Sequence, residues 1–100
     1  MDILTEGPTL VLSGNFNGRS TAAVRAALHL QLAGPEHEIV VDLTQVESVD
    51  VPALRVLAFA SQEAARTGHH VTLRGCGPAV RRMLHLTRLM RFVELEPVAA

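Results

Sequence analysis

Apolar residues along the chain form strand-like runs that alternate with helix-like periodicity. Four runs predict β-strands: Thr9–Ser13, Ile39–Leu43, Val71–Leu73 and Phe92–Leu95. Ile3-Leu4 can pair with the first of these runs across a Gly7-Pro8 turn. Apolar residues at helical spacing predict three helices between them: Ser20 to about Leu32, Val51 or Pro52 to Gly68, and a third from Gly77-Pro78. This order predicts an α/β fold, a mixed β-sheet of four or five strands with helices packed on it.

The segment before residue 50 predicts a strand that leads directly into a helix. Ile39–Leu43 is almost entirely apolar and rich in β-branched residues, which favours a central strand buried on both faces. Asp50 can cap the helix that follows, and Pro52 suits its first turn because proline has no N–H to leave unbonded. The helix carries one predicted core stripe: Leu54, Leu57, Ala58, Ser61 and Ala65.

The other two helices have similar signals at their starts and inner faces. The hydroxyl of Ser20 can cap the first helix, and Gly77-Pro78 begins the third. The predicted inner faces are Val24, Ala27 and Leu28 in the first helix and Val80, Met83, Leu84 and Thr87 in the third.

Composition restricts the class of protein. A chain of 100 residues with 48% apolar and 19% charged residues predicts one domain spanning 1–100 and excludes intrinsic disorder. One cysteine cannot form a disulfide framework. No apolar run approaches the ~20 residues that span a bilayer, and the N-terminus lacks a basic signal start, so we expect a cytoplasmic protein without membrane insertion. Arginine without lysine suggests a GC-rich bacterial genome.

Charge and candidate ligands argue against several kinds of site. Residues 1–50 hold seven acidic side chains and two arginines, whereas residues 51–100 hold three acidic side chains and seven arginines. The formal net charge of the chain is -1. This near-neutral total and only three phenylalanines do not favour nucleic-acid binding. The five histidines lack metal-ligand spacing, and no catalytic constellation stands out. We therefore expect no metal, no cofactor and no enzymatic activity.

Three segments together resemble the STAS domain family, the anti-sigma factor antagonists. The segment Val40–Leu54 is similar to the family's strand-to-helix signature, Leu12–Asn17 to its Gly-Glu-Leu-Asp turn, and Gly77–Leu89 to its third helix. The resemblance covers about residues 8–96. It implies a STAS-like domain that binds a regulatory protein, and in such domains a Ser or Thr after the aspartate is phosphorylated by a kinase that is also the anti-sigma factor. The phosphate breaks the complex.

The sequence departs from this pattern at the phosphorylation site. Asp50 is retained, but Val51 stands where the family has its Ser or Thr, and Pro52 removes one backbone N–H. Valine has no oxygen to phosphorylate, so we predict that the phospho-switch is lost. Asn17 replaces the turn aspartate, and Arg88 replaces a glycine after the third helix.

The expected binding surface surrounds this junction. Phe59 lies roughly 140° from Leu54 around the helix, outside the core stripe, which favours an interface or cover by a neighbouring segment. Ser48 and Thr44 are alternative phosphoacceptors, although structural hydroxyls explain them better. The predicted partner-binding residues are Asn17, Asp50, Val51, Pro52, Ala53, Arg55, Val56 and Phe59.

Three functions follow from these observations. The first is a non-enzymatic regulatory domain that docks on an anti-sigma factor or serine-kinase-like protein. The second, also implied by the resemblance, is a STAS subunit of an ABC lipid-transport or sensory assembly. An enzyme or small-ligand binder is the third and is disfavoured. Self-association as a homodimer, through the sheet edge or a helix face, is left open.

Overall fold

The computed structural model describes residues 1–96, which form a five-stranded sheet, three helices and one short 3-10 turn. The strands are β1 Asp2–Glu6, β2 Thr9–Phe16, β3 Glu38–Val49, β4 His70–Arg74 and β5 Glu94–Leu95. The helices are α1 Thr21–Leu32, α2 Val51–Arg66 and α3 Pro78–Leu86, and the 3-10 turn is Met90–Phe92.

The strands lie in the sheet in the same order as in the chain. β1 pairs antiparallel with β2 through the turn at Gly7, whose φ is 57°, and every later pair is parallel. This mixed sheet confirms the predicted fold class. Because parallel connections are nearly always right-handed, a strand order that advances in one direction places all three helices on one face.

Burial along β3 shows that only one face of the sheet is covered. Ile39, Val41 and Leu43 are buried, whereas Val40 and Asp42 point to the other face and are only partly buried. The prediction of a central strand buried on both faces was therefore wrong. The run is apolar enough for burial on both faces, but the one-directional strand order places helices on only one.

The core lies between the sheet and the helices, and α2 contributes most of its helical part. Ser61 is buried, and its hydroxyl donates to the Leu57 carbonyl oxygen at 2.8 Å. The predicted stripe is confirmed except at its end, since Ala65 is exposed and Ala64 is buried. Ala64 lies seven residues after Leu57 and continues the same face. The buried residues of α2 are Ala53, Leu54, Leu57, Ala58, Ser61 and Ala64.

β3 continues past the predicted run Ile39–Leu43 to Val49, as expected from Val46 and Val49, and it is irregular there. Its register against β2 shifts twice, between Val11 and Ser13 and between Gly14 and Asn15, and each shift inserts one extra residue in β3. Such bulges bend a strand while leaving it paired. β3 thus remains bonded to β2 as far as Val49 and delivers the chain directly to the start of α2.

Two chain segments differ from the prediction at the ends of elements. Ser20 occupies the cap position of α1 but makes no capping bond; its hydroxyl donates to the Asn15 carbonyl oxygen at 3.2 Å. Of the predicted strand Phe92–Leu95, only Glu94–Leu95 pairs with β4. Phe92 belongs to the 3-10 turn, which packs against α2. Gly77 and Pro78 begin α3 as predicted.

Arg88 ends α3 in a left-handed conformation, with φ 60°. This conformation costs a non-glycine residue about 1–2 kcal/mol. We therefore expect Arg88→Gly to raise the free energy of unfolding by about 1 kcal/mol in a denaturant titration. Arg82→Gly, at an exposed position inside α3, should lower it by about 1 kcal/mol. Equal effects at the two positions would contradict the assigned strain.

Candidate functional site

The junction between β3 and α2 is organised by the carboxylate of Asp50. Asp50 has extended backbone angles, and its Oδ1 accepts a hydrogen bond from the Ala53 N–H at 2.9 Å. Pro52 lies in the first turn, where its missing N–H costs nothing. The predicted cap and helix start are therefore present in the structure.

The second carboxylate oxygen of Asp50 reaches a different loop. Oδ2 accepts a hydrogen bond from the Gly18 N–H at 3.1 Å, and the Asp50 N–H donates to the Phe16 carbonyl oxygen at 3.2 Å. Asp50 thus joins the β2–α1 loop to the start of α2. No local pattern in the sequence marks Gly18 as a partner of Asp50, because the two residues lie 32 positions apart in the chain. The only signal for this contact was the parallel pairing of the two preceding strands, which brings their carboxyl ends to one edge.

Asparagine side chains hold the rest of this loop in shape. Asn17 Oδ1 accepts from the Arg19 N–H at 2.9 Å, and Asn15 Oδ1 accepts from the Ser48 hydroxyl at 2.7 Å. The Asn17 side chain therefore closes a local turn beside Gly18. The Ser48 bond ties the loop to β3 a second time. Asn17 lies next to the Asp50 junction, as its place among the predicted binding residues requires.

The remaining predicted binding residues fall into buried and accessible groups. Ala53 is fully buried, so only its N–H takes part in the junction, through the bond to Asp50. Pro52 and Arg55 are exposed, and Val51 and Val56 are partly buried. The accessible surface at the start of α2 is therefore apolar with one cation.

Phe59 extends this surface along α2. Its side chain is 53% exposed, and its ring lies 6.5 Å from that of Phe92, centroid to centroid. The 3-10 turn thus contacts Phe59 without covering it. Together, Pro52, Arg55, Val56 and Phe59 form the outward face of α2, which we refer to by that name below.

The two hydroxyl residues near the junction differ in their contacts. Ser48 is exposed and bonded to Asn15, and no residue from Val49 to Ala60 carries a hydroxyl. Thr44 lies beside Gly75, and its N–H donates to Asp42 Oδ1 at 2.9 Å. The Ser48 hydroxyl thus has a partner in the β2–α1 loop, whereas the bond at Thr44 is made by its backbone.

Titratable groups elsewhere do not assemble into a metal site within residues 1–96. The His37 and His69 rings lie 5.7 Å apart. His70, on β4, is bonded to Glu94 on the neighbouring β5. The hydrogen bond to Glu94 and its charge raise the pKa of His70 above 6.5.

Burial raises the pKa of the Cys76 thiol, and the charge of Arg81 opposes this only in part. A thiol with a raised pKa is a poor nucleophile at neutral pH.

No helix within the described residues is both long and apolar enough to cross a membrane.

Solved structures with this fold include anti-sigma factor antagonists. The antagonist from Mycobacterium paratuberculosis is 26% identical, with a TM-score of 0.75 over 96% of this chain and 83% of that chain. A Thermotoga maritima protein assigned as an antagonist is 21% identical, with a TM-score of 0.77 over 97% of this chain and 86% of its own. The phosphorylated Bacillus cell fate determinant SpoIIAA is 14% identical, with a TM-score of 0.67 over 96% of this chain and 90% of that chain.

The sequence has no significant match among curated proteins. A family model described as "Mlab, STAS domain" matches residues 1–95, which include the junction, the outward face of α2 and all five strands. The match agrees with the three segments that suggested the resemblance and with the strand order of the structure. The chain belongs to the STAS domain family.

Proposed function

We propose that this protein is a non-enzymatic regulatory domain of the anti-sigma factor antagonist type. It docks on an anti-sigma factor or a serine-kinase-like protein through Asn17, the Asp50 junction and the outward face of α2. The observation that carries this proposal is the exposed start of α2, held by Asp50 beside the β2–α1 loop. The antagonist fold of the 26% identical Mycobacterium paratuberculosis protein supports it.

The same geometry supports loss of the phospho-switch. Val51 takes the place of the family's phosphoacceptor, and the nearest hydroxyls on either side are those of Ser48 and Ser61. Ser61 is buried in the core and bonded to Leu57. Asp50 uses both carboxylate oxygens in backbone hydrogen bonds. Docking is therefore constitutive with respect to phosphorylation at this junction.

We expect the wild-type protein to incorporate no phosphate between Asp50 and Leu54 when incubated with its kinase-like partner and ATP. Val51→Ser should restore an acceptor, because the hydroxyl would lie in the first turn of α2, where the free N–H groups stabilise an anion. Intact-mass and peptide mass spectrometry measure both outcomes. Stoichiometric phosphate within this segment of the wild type would contradict the proposal.

Phe59→Ser should weaken partner binding at least tenfold and leave the melting temperature unchanged. A side chain that is 53% exposed contributes little to the core, whereas exposed aromatic residues often dominate an interface. Isothermal titration calorimetry and thermal unfolding measure the two effects. Leu30→Ser is the matched control, since Leu30 is 78% exposed on α1. If Phe59→Ser lowers only the melting temperature, the residue serves packing instead of docking.

A second candidate function is a STAS subunit of an ABC lipid-transport or sensory assembly. The observation that favours it is the name of the matching family model, Mlab. Affinity purification from the native host, with the bound protein identified by mass spectrometry, separates the two. An ATP-binding anti-sigma factor supports the first function, whereas a transporter or sensor subunit supports the second and overturns the first.

A further inference from the structure

The outward face of α2 continues onto the 3-10 turn through a row of three neighbouring side chains, Phe59, Phe92 and Arg91. The guanidinium carbon of Arg91 lies 4.9 Å from the centroid of the Phe92 ring, and that ring lies 6.5 Å from Phe59. Arg91 is exposed, and Phe92 is partly buried. A cation over an aromatic face is held in place while its N–H groups stay available. The row therefore presents an apolar surface with a fixed positive end.

The surface has a second cation without an acidic partner nearby. Arg55 lies one turn before Phe59 on α2 and is exposed. Within residues 1–96, neither Arg55 nor Arg91 has a carboxylate within ion-pair distance, whereas Glu63 and Arg66 pair with each other at 3.7 Å. The two free cations thus flank the aromatic pair.

A cavity of about 270 Å³ opens beside this row, next to Phe92. Its walls are polar and apolar side chains together: Gln62 and Ala65 from α2, residues 69–71 at the start of β4 and residues 91–94 after α3. A concave site of this kind, beside the exposed Phe59 and the partly buried Phe92, can receive a large apolar side chain from a partner. The surface therefore offers one anchor position and two cations beside it.

We propose that Arg91 and Phe92 extend the docking surface, and that this surface binds an acidic amphipathic peptide segment of the partner. The segment places an apolar side chain in the cavity beside Phe92 and its carboxylates against Arg55 and Arg91. This inference rests on the proposed function and adds the chemistry of the partner to it. Charge complementarity of this kind fixes orientation and specificity more than total affinity.

The charges favour an acidic peptide over a membrane surface or nucleic acid. Two carboxylates lie close to the same surface. Glu63 pairs with Arg66, and Glu94 forms part of the cavity wall. An extended array of phosphates would meet these carboxylates together with the arginines, and the formal net charge of the chain is -1. A peptide with carboxylates at selected positions avoids that repulsion.

Two synthetic helical peptides with the same leucine and phenylalanine stripe test this inference on the full-length protein. One carries glutamates beside the stripe and the other carries lysines, and fluorescence anisotropy measures their binding. We expect the glutamate peptide to bind at least tenfold more tightly. Arg91→Glu should remove this preference, whereas Arg25→Glu on α1 should leave it unchanged. Equal binding of both peptides, binding of neither, or binding to phosphatidylglycerol vesicles in place of the glutamate peptide would overturn the inference.

The native complex distinguishes failure of this inference from failure of the proposed function. If Phe59→Ser releases an identified anti-sigma factor while Arg91→Glu binds it as the wild type does, the proposed function stands and the extension to the 3-10 turn is wrong. If both variants release it and Arg91→Lys retains most of the affinity, the cation at position 91 is part of the docking surface.

Discussion

Replacing Gly75 with alanine should lower the free energy of unfolding by about 3 kcal/mol, from a left-handed penalty of about 1–2 kcal/mol and an overpacking penalty of about 1–3 kcal/mol. Gly75 has φ 73°, and an added Cβ would lie 2.9 Å from the Thr44 backbone nitrogen and 3.0 Å from its Cα. A methyl group there also meets the Thr44 hydroxyl. Chemical denaturation of the two proteins measures the difference.

Gly68→Ala is the matched control for this change. Gly68 has a similar φ of 80°, but nothing lies within 4 Å of an added Cβ. It should therefore lose only the conformational part, about 1 kcal/mol. Thr44→Ala in the Gly75→Ala background should restore part of the stability, because the backbone clash persists. Full recovery, or equal losses at Gly68 and Gly75, would show that backbone contact with Thr44 does not limit this position.

The contact between Gly75 and Thr44 matters because it lies where two paired strands separate. β3 and β4 are paired as far as Asp42 and Arg74, and beyond that point β3 continues along β2 alone. The turn at Gly75 lets the chain leave β4 close to β3 and begin α3. A groove of about 430 Å³ opens between α3 and the outer part of β3. The close approach at Gly75 thus lies where the β3 extension begins.

The sequence predicted the type and order of nearly all elements because their apolar periodicities differ clearly. The short length and β-branched residues of Ile39–Leu43 favoured a strand, and Asp50 with Pro52 marked the start of α2 within one residue. Pattern alone did not determine which faces are covered. Val40 and Asp42 are partly exposed because of the strand order, which is a property of the whole fold.

The errors at the ends of elements have local causes that depend on distant residues. Ala64 and Ala65 are both small and apolar, so only the packing of α2 on the sheet decides which is buried. Phe92 has high strand propensity, yet it lies in a 3-10 turn packed against α2, with its ring 6.5 Å from that of Phe59. Tertiary contacts override local preference in both cases.

The candidate site was predictable as a position but not as a network. Asp50 could be assigned as a helix cap from its neighbours, because a cap bond spans only three residues. The bond from Gly18 to the same carboxylate depends on β2 and β3 ending at one edge of the sheet. Asn15 and Ser48 are joined in the same way, at 2.7 Å.

Asp50→Ala should lower the free energy of unfolding by about 2 kcal/mol, about 1 kcal/mol from the lost helix cap and about 1 kcal/mol from the lost bond to Gly18. Without the carboxylate, the N–H groups of Ala53 and Gly18 lose their side-chain acceptor. The β2–α1 loop should then separate from α2, so hydrogen exchange at Gly18 should accelerate more than exchange in the central strands. Denaturant titration and exchange measured by NMR test both effects.

Asp50→Ser and Asp50→Asn divide the two contributions. A serine hydroxyl can accept from the Ala53 N–H but cannot reach both partners, and an asparagine would place its NH₂ group against the Gly18 N–H. Each should lose about 1 kcal/mol and show fast exchange at Gly18 with a stable cap. If either substitution costs as much as alanine, the cap contributes little; if neither costs anything, the bond to Gly18 does not stabilise the fold. If the cap contributes little, Asp50 stabilises the fold through its bond to Gly18. Partner binding would then depend on Asp50 only through the β2–α1 loop, which that bond holds and which contains Asn17.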